Sequence, residues 1–277
     1  MSLFECSGKA KTVLEVTRPQ MSPAETAREL AGRRAVVTGS SSGIGRAIVL
    51  ELASAGADVV VHCRQAEAAA EAVGQLAREH GVRAFVLMAD LRDAAACSRF
   101  VDQVWTSLGG CDIWVNNAGA DTLTGAAARL SFEEKLAELL AVDVRATMLL
   151  AREAGQRMKA TGVGVILNMG WDQAETGMEG DSGQLFGAAK AAVMAFTRSL
   201  ALTLAPQVRV NCLAPGWIRT AWAEQASDRW QQRAVHEAPL GRWGTPEDVA
   251  RVARFLCSTS AEFITGQVVR VDGGAVR

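Results

Sequence analysis

Ala35-Val36-Val37-Thr38-Gly39-Ser40-Ser41-Ser42-Gly43-Ile44-Gly45 is a short apolar run feeding a glycine-rich turn, and Ile44, Ile48, Leu52 and Ala55 then recur at helical spacing up to Gly56. Strand, turn and helix follow in that order. Such a turn suits a pyrophosphate, because glycines let the backbone come close and a helix N-terminus offers free N–H groups carrying partial positive charge. The spacing is not GxGxxG, so the turn taken alone also admits a plain packing role.

The same alternation continues downstream. Asp58 to His62 reads as strand, Glu67 to His80 as helix, Arg83 to Leu87 as strand, Ala94 to Leu108 as helix and Ile113 to Val115 as strand. After Asn116-Asn117-Ala118-Gly119 comes one long helical stretch from about 131 to 159, then strand Val163 to Leu167, helix Gln184 to Ala205 and strand Val208 to Leu213. Thr245-Pro246-Glu247-Asp248 announces a last helix with Thr245 as N-cap, and Val268 to Val271 is the last strand. Strands made almost wholly of Val, Ile, Leu and Ala are buried on both faces, so the fold class is α/β, a doubly wound parallel sheet with helices on each side. Residues 1–30 are expected to be an N-terminal extension, partly mobile, in which Ser22-Pro23-Ala24-Glu25 opens a short helix that Gly32 stops. Residues 31–277 form the single domain, with a substrate loop over 216–244.

Charges nearly cancel, 29 Lys+Arg against 30 Asp+Glu, which argues against a nucleic-acid partner or an anionic lipid surface. No apolar run in the sequence reaches the ~18 residues of a membrane span, and the N-terminus lacks an apolar h-region. Cys6, Cys63, Cys97, Cys111, Cys212 and Cys257 include no CxxC pair or zinc-site spacing. No metal site is therefore expected, and the thiols read as reduced residues of a cytoplasmic protein. The chain has no tyrosine, so no mechanism that needs a phenol operates here.

Several motifs in a fixed order carry a resemblance. Thr38 to Gly45, Asp90-Leu91, Asn116 to Gly119, Asn211 to Thr220 with its Pro215-Gly216 pair, and Ile264 to Gln267 with Val271 to Gly274 together resemble the short-chain dehydrogenase/reductase family, most closely its bacterial 3-oxoacyl-ACP reductase group. The resemblance implies a Rossmann-type domain over about 30 to 274. It also implies a dinucleotide held by Gly39, Ser41, Ser42, Gly43, Ile44, Gly45, Arg64, Asp90, Leu91, Asn117, Ala118, Gly119, Lys190, Pro215, Gly216, Ile218 and Thr220. At the end of the second strand, where an NAD-preferring enzyme places an acid for the ribose hydroxyls, stand Cys63 and then Arg64. NADP(H) is the expected cofactor, although Ser42 occupies a position where many NADP-dependent members carry a base.

The resemblance implies catalysis by Asn, Ser, Tyr and Lys, and three of those four positions depart. The YxxxK spacing falls on Phe186 to Lys190, the serine position on Trp171 and the asparagine position on Asp143. The candidate catalytic residues are thus Lys190, Asp143, Trp171 and Phe186. Asp143 is read as a solvated or paired acid, or as a buried one able to donate a proton. Asp172, Glu175, Glu179, Asp181 and Ser182 read as a solvent-facing loop, or as one from which a side chain reaches the substrate. Trp171, Phe186, Trp217 and Trp222 would wall a wide apolar site for a flat apolar ligand, or fill it. Two functions stay open: an NADP(H)-dependent oxidoreductase of unusual or impaired mechanism acting on a carbonyl or alcohol, and a catalytically silent NADP(H)-binding protein. Apolar surface at Leu139, Leu140, Met148, Leu149 and Leu150 leads to an expected homodimer or homotetramer.

Overall fold

A computed structural model describes residues 28–276. Seven parallel strands form one sheet in the order β3-β2-β1-β4-β5-β6-β7. They are β1 (Arg34–Val37), β2 (Asp58–Cys63), β3 (Ala84–Met88), β4 (Ile113–Asn116), β5 (Gly164–Met169), β6 (Val208–Pro215) and β7 (Val268–Val271). The chain runs outward from β1 to β3, then returns to pair β4 against β1. This reversal opens a crevice beyond the carboxyl ends of β1 and β4, the place where doubly wound sheets bind ligands.

The inner strands are apolar without alternation because both faces are covered. Val36, Val37, Val59, Val60, Val115, Ile166 and Leu167 have no exposed surface. On one face lie α1 (Gly43–Ser54), α2 (Glu67–Arg78) and, beyond, α9 (Pro246–Cys257), whose Leu52, Val73 and Leu256 join Val37, Val59 and Leu213 in one cluster. On the other face α3 (Ala94–Leu108), α5 (Thr147–Thr161) and α6 (Gly180–Leu204) bury Phe100, Leu150 and Leu200 against Val36, Trp114 and Ile166. Edge strands β3 and β7 are only half-buried.

Element ends follow local chemistry. Thr245 caps α9 in a reciprocal capping box with Asp248, as the sequence leads one to expect. Gly109 and Gly162 end α3 and α5 in the left-handed region, φ 72° and 89°. The helix expected to open at Ser22 falls mostly on residues outside those described; Arg28 to Gly32 form turns, with Leu30 buried.

Two expectations are corrected. The stretch from 131 to 159 is not one regular helix. It is α4 (Phe132–Leu139), a π-helical segment (Leu140–Ala146) and then α5. The π segment widens the turn so that Asp143 points inward. The polar loop after Trp171 is shorter than its composition suggests, and one of its acids departs from the expected exposure. Asp172 is buried and α6 already begins at Gly180, whereas Glu175, Glu179 and Asp181 face solvent, Glu175 paired with Arg198 and Arg270 and Glu179 with Arg233. Helix α6 is also long and apolar enough, by length and composition alone, to cross a membrane; here it packs on β5 and β6 and carries the buried Lys190.

Candidate functional site

The β1–α1 turn is shaped by contacts that leave its outer N–H groups open. Gly39 adopts φ +63° and lies so close to Ala118 that a Cβ would come within 2.9 Å of its Cα. A Cβ on Gly45 would stand 2.3 Å from the Gly39 carbonyl oxygen, so neither position admits a side chain without moving backbone. Thr38 Oγ1 accepts the Asn117 and Ala118 N–H groups at 2.9 Å, and Asn117 Nδ2 donates to the Thr38 and Gly39 carbonyls. The first helical bond of α1 runs from Arg46 N–H to the Ser42 carbonyl, 3.0 Å. Among the described residues no backbone acceptor takes the N–H of Gly43, Ile44 or Gly45, and Ser42 makes no side-chain cap. Three free donors at a helix N-terminus fit the phosphates of a dinucleotide.

The groove above this turn has a volume of about 850 Å³. It gathers Gly39, Ser41, Ser42, Gly43, Ile44, Gly45, Arg64, Asp90, Leu91, Asn117, Ala118, Gly119, Asp143, Lys190 and Thr220, all assigned from the sequence. Pro215, Gly216 and Ile218 instead line an adjoining apolar cavity. Arg64 is exposed at the groove rim beside the buried Cys63 and has no ion pair among the described residues. Asp90 is held by Arg92, whose hydrogen bonds pull its carboxyl down to about 2.

The cavity, about 410 Å³, meets the groove at Ile44, Asn117, Phe186, Lys190 and Thr220. Its walls are Trp171, Phe186, Trp217, Trp222, Trp230, Met169 and Met178, with the Ser182 side chain among few polar groups. Trp171 and Phe186 meet edge to face at 6.4 Å. Trp217, Trp222, Trp230 and Trp243 close one end, each ring 5.6–6.2 Å from at least two others. They are carried by β6's exit, α7 (Ala221–Gln225), α8 (Asp228–Glu237) and the strand-like segment before α9. Arg233 on α8 stacks over Trp217 and Trp230 and bonds both Glu179 and Glu237, while Trp217 Nε1 donates to Glu237 at 2.8 Å. The wall of Trp171, Phe186, Trp217 and Trp222 expected from the sequence is present, and an open space remains inside it.

Lys190 reaches from α6 to the junction of groove and cavity. Its Nζ stands 2.7 Å from Asp143 Oδ1, and Asp143 Oδ2 accepts the Ala120 N–H at 2.8 Å. Both side chains are buried. Asp143 is therefore paired, one of the readings its sequence position admits. Beneath them a buried chain of hydrogen bonds runs from Trp114 Nε1 to Asn116, from Asn116 Nδ2 to Asn168 and from Asn168 Nδ2 to Thr197, each 2.8–2.9 Å, tying β4, β5 and α6 together. This fixes the end of β5, and so Trp171, relative to Lys190.

Two titrating groups went unrecognised in the sequence. His62 is buried at the end of β2. Its Nδ1 accepts the Gly39 N–H at 2.9 Å, its Nε2 lies 3.1 Å from the Ala89 carbonyl, and burial lowers its pKa to about 4. Asp172 is buried behind Gly216, with Oδ1 accepting the Gln173 N–H and Oδ2 without a partner. Burial, then the charges of Asp272 and Glu237, push its carboxyl up to about 7. The folded chain thus keeps a proton that the unfolded chain loses near pH 3.8, and this group's contribution to stability falls as pH rises from about 4 to 7, while that of the neutral buried His62 grows from about pH 4 to 6.5. Asp172→Asn should remove the first contribution and raise stability at pH 8 relative to the parent by about 2–4 kcal/mol, read by scanning calorimetry of parent and variant from pH 5 to 8. Equal melting curves at pH 8 would contradict it.

Residues 39–276 match a family model described as enoyl-(acyl carrier protein) reductase. A 3-oxoacyl-(acyl-carrier-protein) reductase of Aquifex aeolicus is 37% identical over 89% of this chain and 98% of its own length. The chain belongs to the short-chain dehydrogenase/reductase family. A cyclohexanol dehydrogenase of Rhodococcus sp. is 38% identical over 88% of this chain and 96% of its own. Among solved structures, a 7α-hydroxysteroid dehydrogenase complexed with NADH and a bile-acid ketone superposes with TM-score 0.82 at 31% identity, covering 92% of this chain and 98% of that one. A Burkholderia cenocepacia short-chain dehydrogenase in complex with NADP gives 0.79 at 32%, covering 89% and 99%. The family is one of oxidoreductases that bind nicotinamide cofactors. Trp171 and Phe186, which the sequence reading sets at the family's serine and tyrosine positions, pack edge to face as two apolar rings.

Proposed function

We propose that this chain is an NADP(H)-dependent oxidoreductase acting on an apolar carbonyl or alcohol, with Lys190 as proton donor and acceptor in place of a phenol. The observation that carries this reading is the position of Lys190, which lines both the dinucleotide groove and the apolar cavity while Asp143 holds its ammonium. A bound dinucleotide would supply the hydride. Lys190 would deliver a proton from its N–H to the carbonyl oxygen as charge develops there, leaving an amine that solvent reprotonates. Asp143 stabilises the ammonium form between turnovers. Without a neutral hydroxyl donor at the oxygen, charge stabilisation is weaker than the family's usual arrangement and turnover is slow.

NADP(H) is favoured over NAD(H) by the exposed Arg64 and by Cys63, which puts no carboxylate against a 2′-phosphate. The substrate is a neutral small molecule, since the cavity wall is aromatic and thioether. Leu140 and Leu149, 46% and 38% exposed, and Leu202 at 85% support a homo-oligomer built on these helices, whereas Leu139 and Leu150 are consumed by the chain's own core. A cytoplasmic placement accords with Cys63, Cys97, Cys111, Cys212 and Cys257 standing as free thiols.

A second reading, a silent NADP(H)-binding protein, draws its support from the Trp171–Phe186 contact, which fills the place of the usual acid. One experiment separates the two: NADPH consumption with cyclohexanone, larger cyclic ketones and a 3-oxoacyl thioester. Slow turnover that vanishes in Lys190→Met is the expected result; no turnover in the parent, with NADPH still binding, selects the silent reading. In the same series Arg64→Ala should weaken NADPH about tenfold by calorimetry and leave NADH unchanged.

A further inference from the structure

The phosphate turn and the adenine-side end of β3 are joined through one side chain. His62 meets the turn three times: its ring Nδ1 accepts from Gly39 N–H, its backbone N–H donates to Ser40 Oγ at 3.0 Å, and its carbonyl accepts the Ser40 N–H at 2.9 Å. Ser40 Oγ in turn donates to the Val37 carbonyl at 2.7 Å. On its other side the ring reaches the carbonyl of Ala89, the residue before Asp90-Leu91. With Nδ1 acting as acceptor, the neutral ring must carry its proton on Nε2 and donate it to Ala89; burial keeps it in that neutral form. Phe100 from α3 packs edge-on against the ring at 4.7 Å, which fixes its plane. Arg64, Asp90 and Arg92 line the same groove, and among the described residues no charged side chain hydrogen-bonds to the ring.

We infer that His62 is a positioning residue that couples the two halves of the dinucleotide groove, so that filling the adenine side orders the phosphate turn. This rests on the cofactor reading above. An imidazole is suited to the task because its two nitrogens point to opposite sides of one rigid ring, one accepting and one donating. A displacement of Ala89 by a bound adenine is passed through that ring to Gly39, whose left-handed conformation sets the direction of the N–H groups that follow. No charge has to move, and His62 itself touches neither hydride nor substrate.

The test uses the full chain and two ligands. Calorimetry gives the NADPH affinity of the parent, of His62→Phe, which keeps the packing on Phe100 and loses both ring hydrogen bonds, and of His62→Asn, whose side-chain oxygen still accepts from Gly39 but cannot reach Ala89. At roughly tenfold per lost hydrogen bond, His62→Phe should bind about 100-fold more weakly and His62→Asn about tenfold. Hydrogen exchange of the amides from Gly39 to Gly45 is then followed with adenosine 2′-monophosphate, which lacks the 5′-phosphate and so fills the adenine side alone. Protection of the turn in the parent, lost in His62→Asn, is the expected result. A folded His62→Phe binding NADPH as tightly as the parent, or equal protection of the turn in His62→Asn, overturns the inference and leaves the cofactor reading standing. A parent that binds no nicotinamide dinucleotide overturns both.

Discussion

Trp171→Ser combined with Phe186→Tyr should raise NADPH-dependent ketone reduction by about 10²- to 10⁴-fold over the parent, with each single change giving far less. Phe186 stands one helical turn before Lys190 on α6, so a phenol there would share that lysine's field. Alone, that phenol would still face the indole of Trp171, which now meets the Phe186 ring edge to face. Serine alone would empty the indole's volume without supplying an acid. The two substitutions act on one oxygen, and their combined effect should exceed the product of the separate ones. Initial rates for the four proteins with one cyclic ketone decide it. A double variant no faster than the better single one would mean that the substrate oxygen does not lie between these positions.

Asp143→Asn should cost the fold about 3–5 kcal/mol. The buried Lys190 ammonium is met by a single carboxylate, with no other ion pair on it among the described residues. The amide keeps an oxygen for the Ala120 N–H, so backbone geometry survives while the charge does not. Lys190→Met in the same background should recover most of the loss in stability, because removing both charges is cheaper than leaving one buried and alone. Urea titration of parent, singles and double measures the cycle. A single Asp143→Asn variant as stable as the parent would show that the ion pair with Lys190 carries no weight in the fold.

The sheet was legible because its strands are continuous apolar runs and its turns carry glycine where positive φ is required. Helix α3 runs from Ala94 to Leu108, the span its periodicity marks, since Asp93 caps its start and Gly109 ends it. The π segment was not legible, because no residue type in Leu140–Ala146 marks a widened turn and the buried Asp143 is its outward sign. The cofactor turn could be read from its residue types, whereas the role of His62 depends on a partner, Ala89, 27 residues away. Asp172 read as a loop acid because acidic and glycine-rich composition usually means solvent. It is buried because β6's Gly216 turn and Asp272 fold over it, contacts made at long range and invisible in the local sequence. Trp230 and Trp243 were likewise missed, since they reach the tryptophan cluster from separate elements.

The indole cluster gives this protein an optical identity of its own. With no tyrosine, all near-ultraviolet emission excited at 295 nm or 275 nm alike comes from seven tryptophans, and four of them crowd one end of the cavity with ring centres 5.6–6.2 Å apart. Transition dipoles that close couple, so their excited states are shared and circular dichroism should carry an exciton couplet, to which the Trp105–Trp114 stack against the sheet, 6.1 Å between centroids, adds a share of its own. A motion that parts Trp222 from Trp230 should weaken the cluster's share while the helical bands stay unchanged. The four-indole cluster can therefore be followed in the unlabelled chain once the share of the core pair is subtracted.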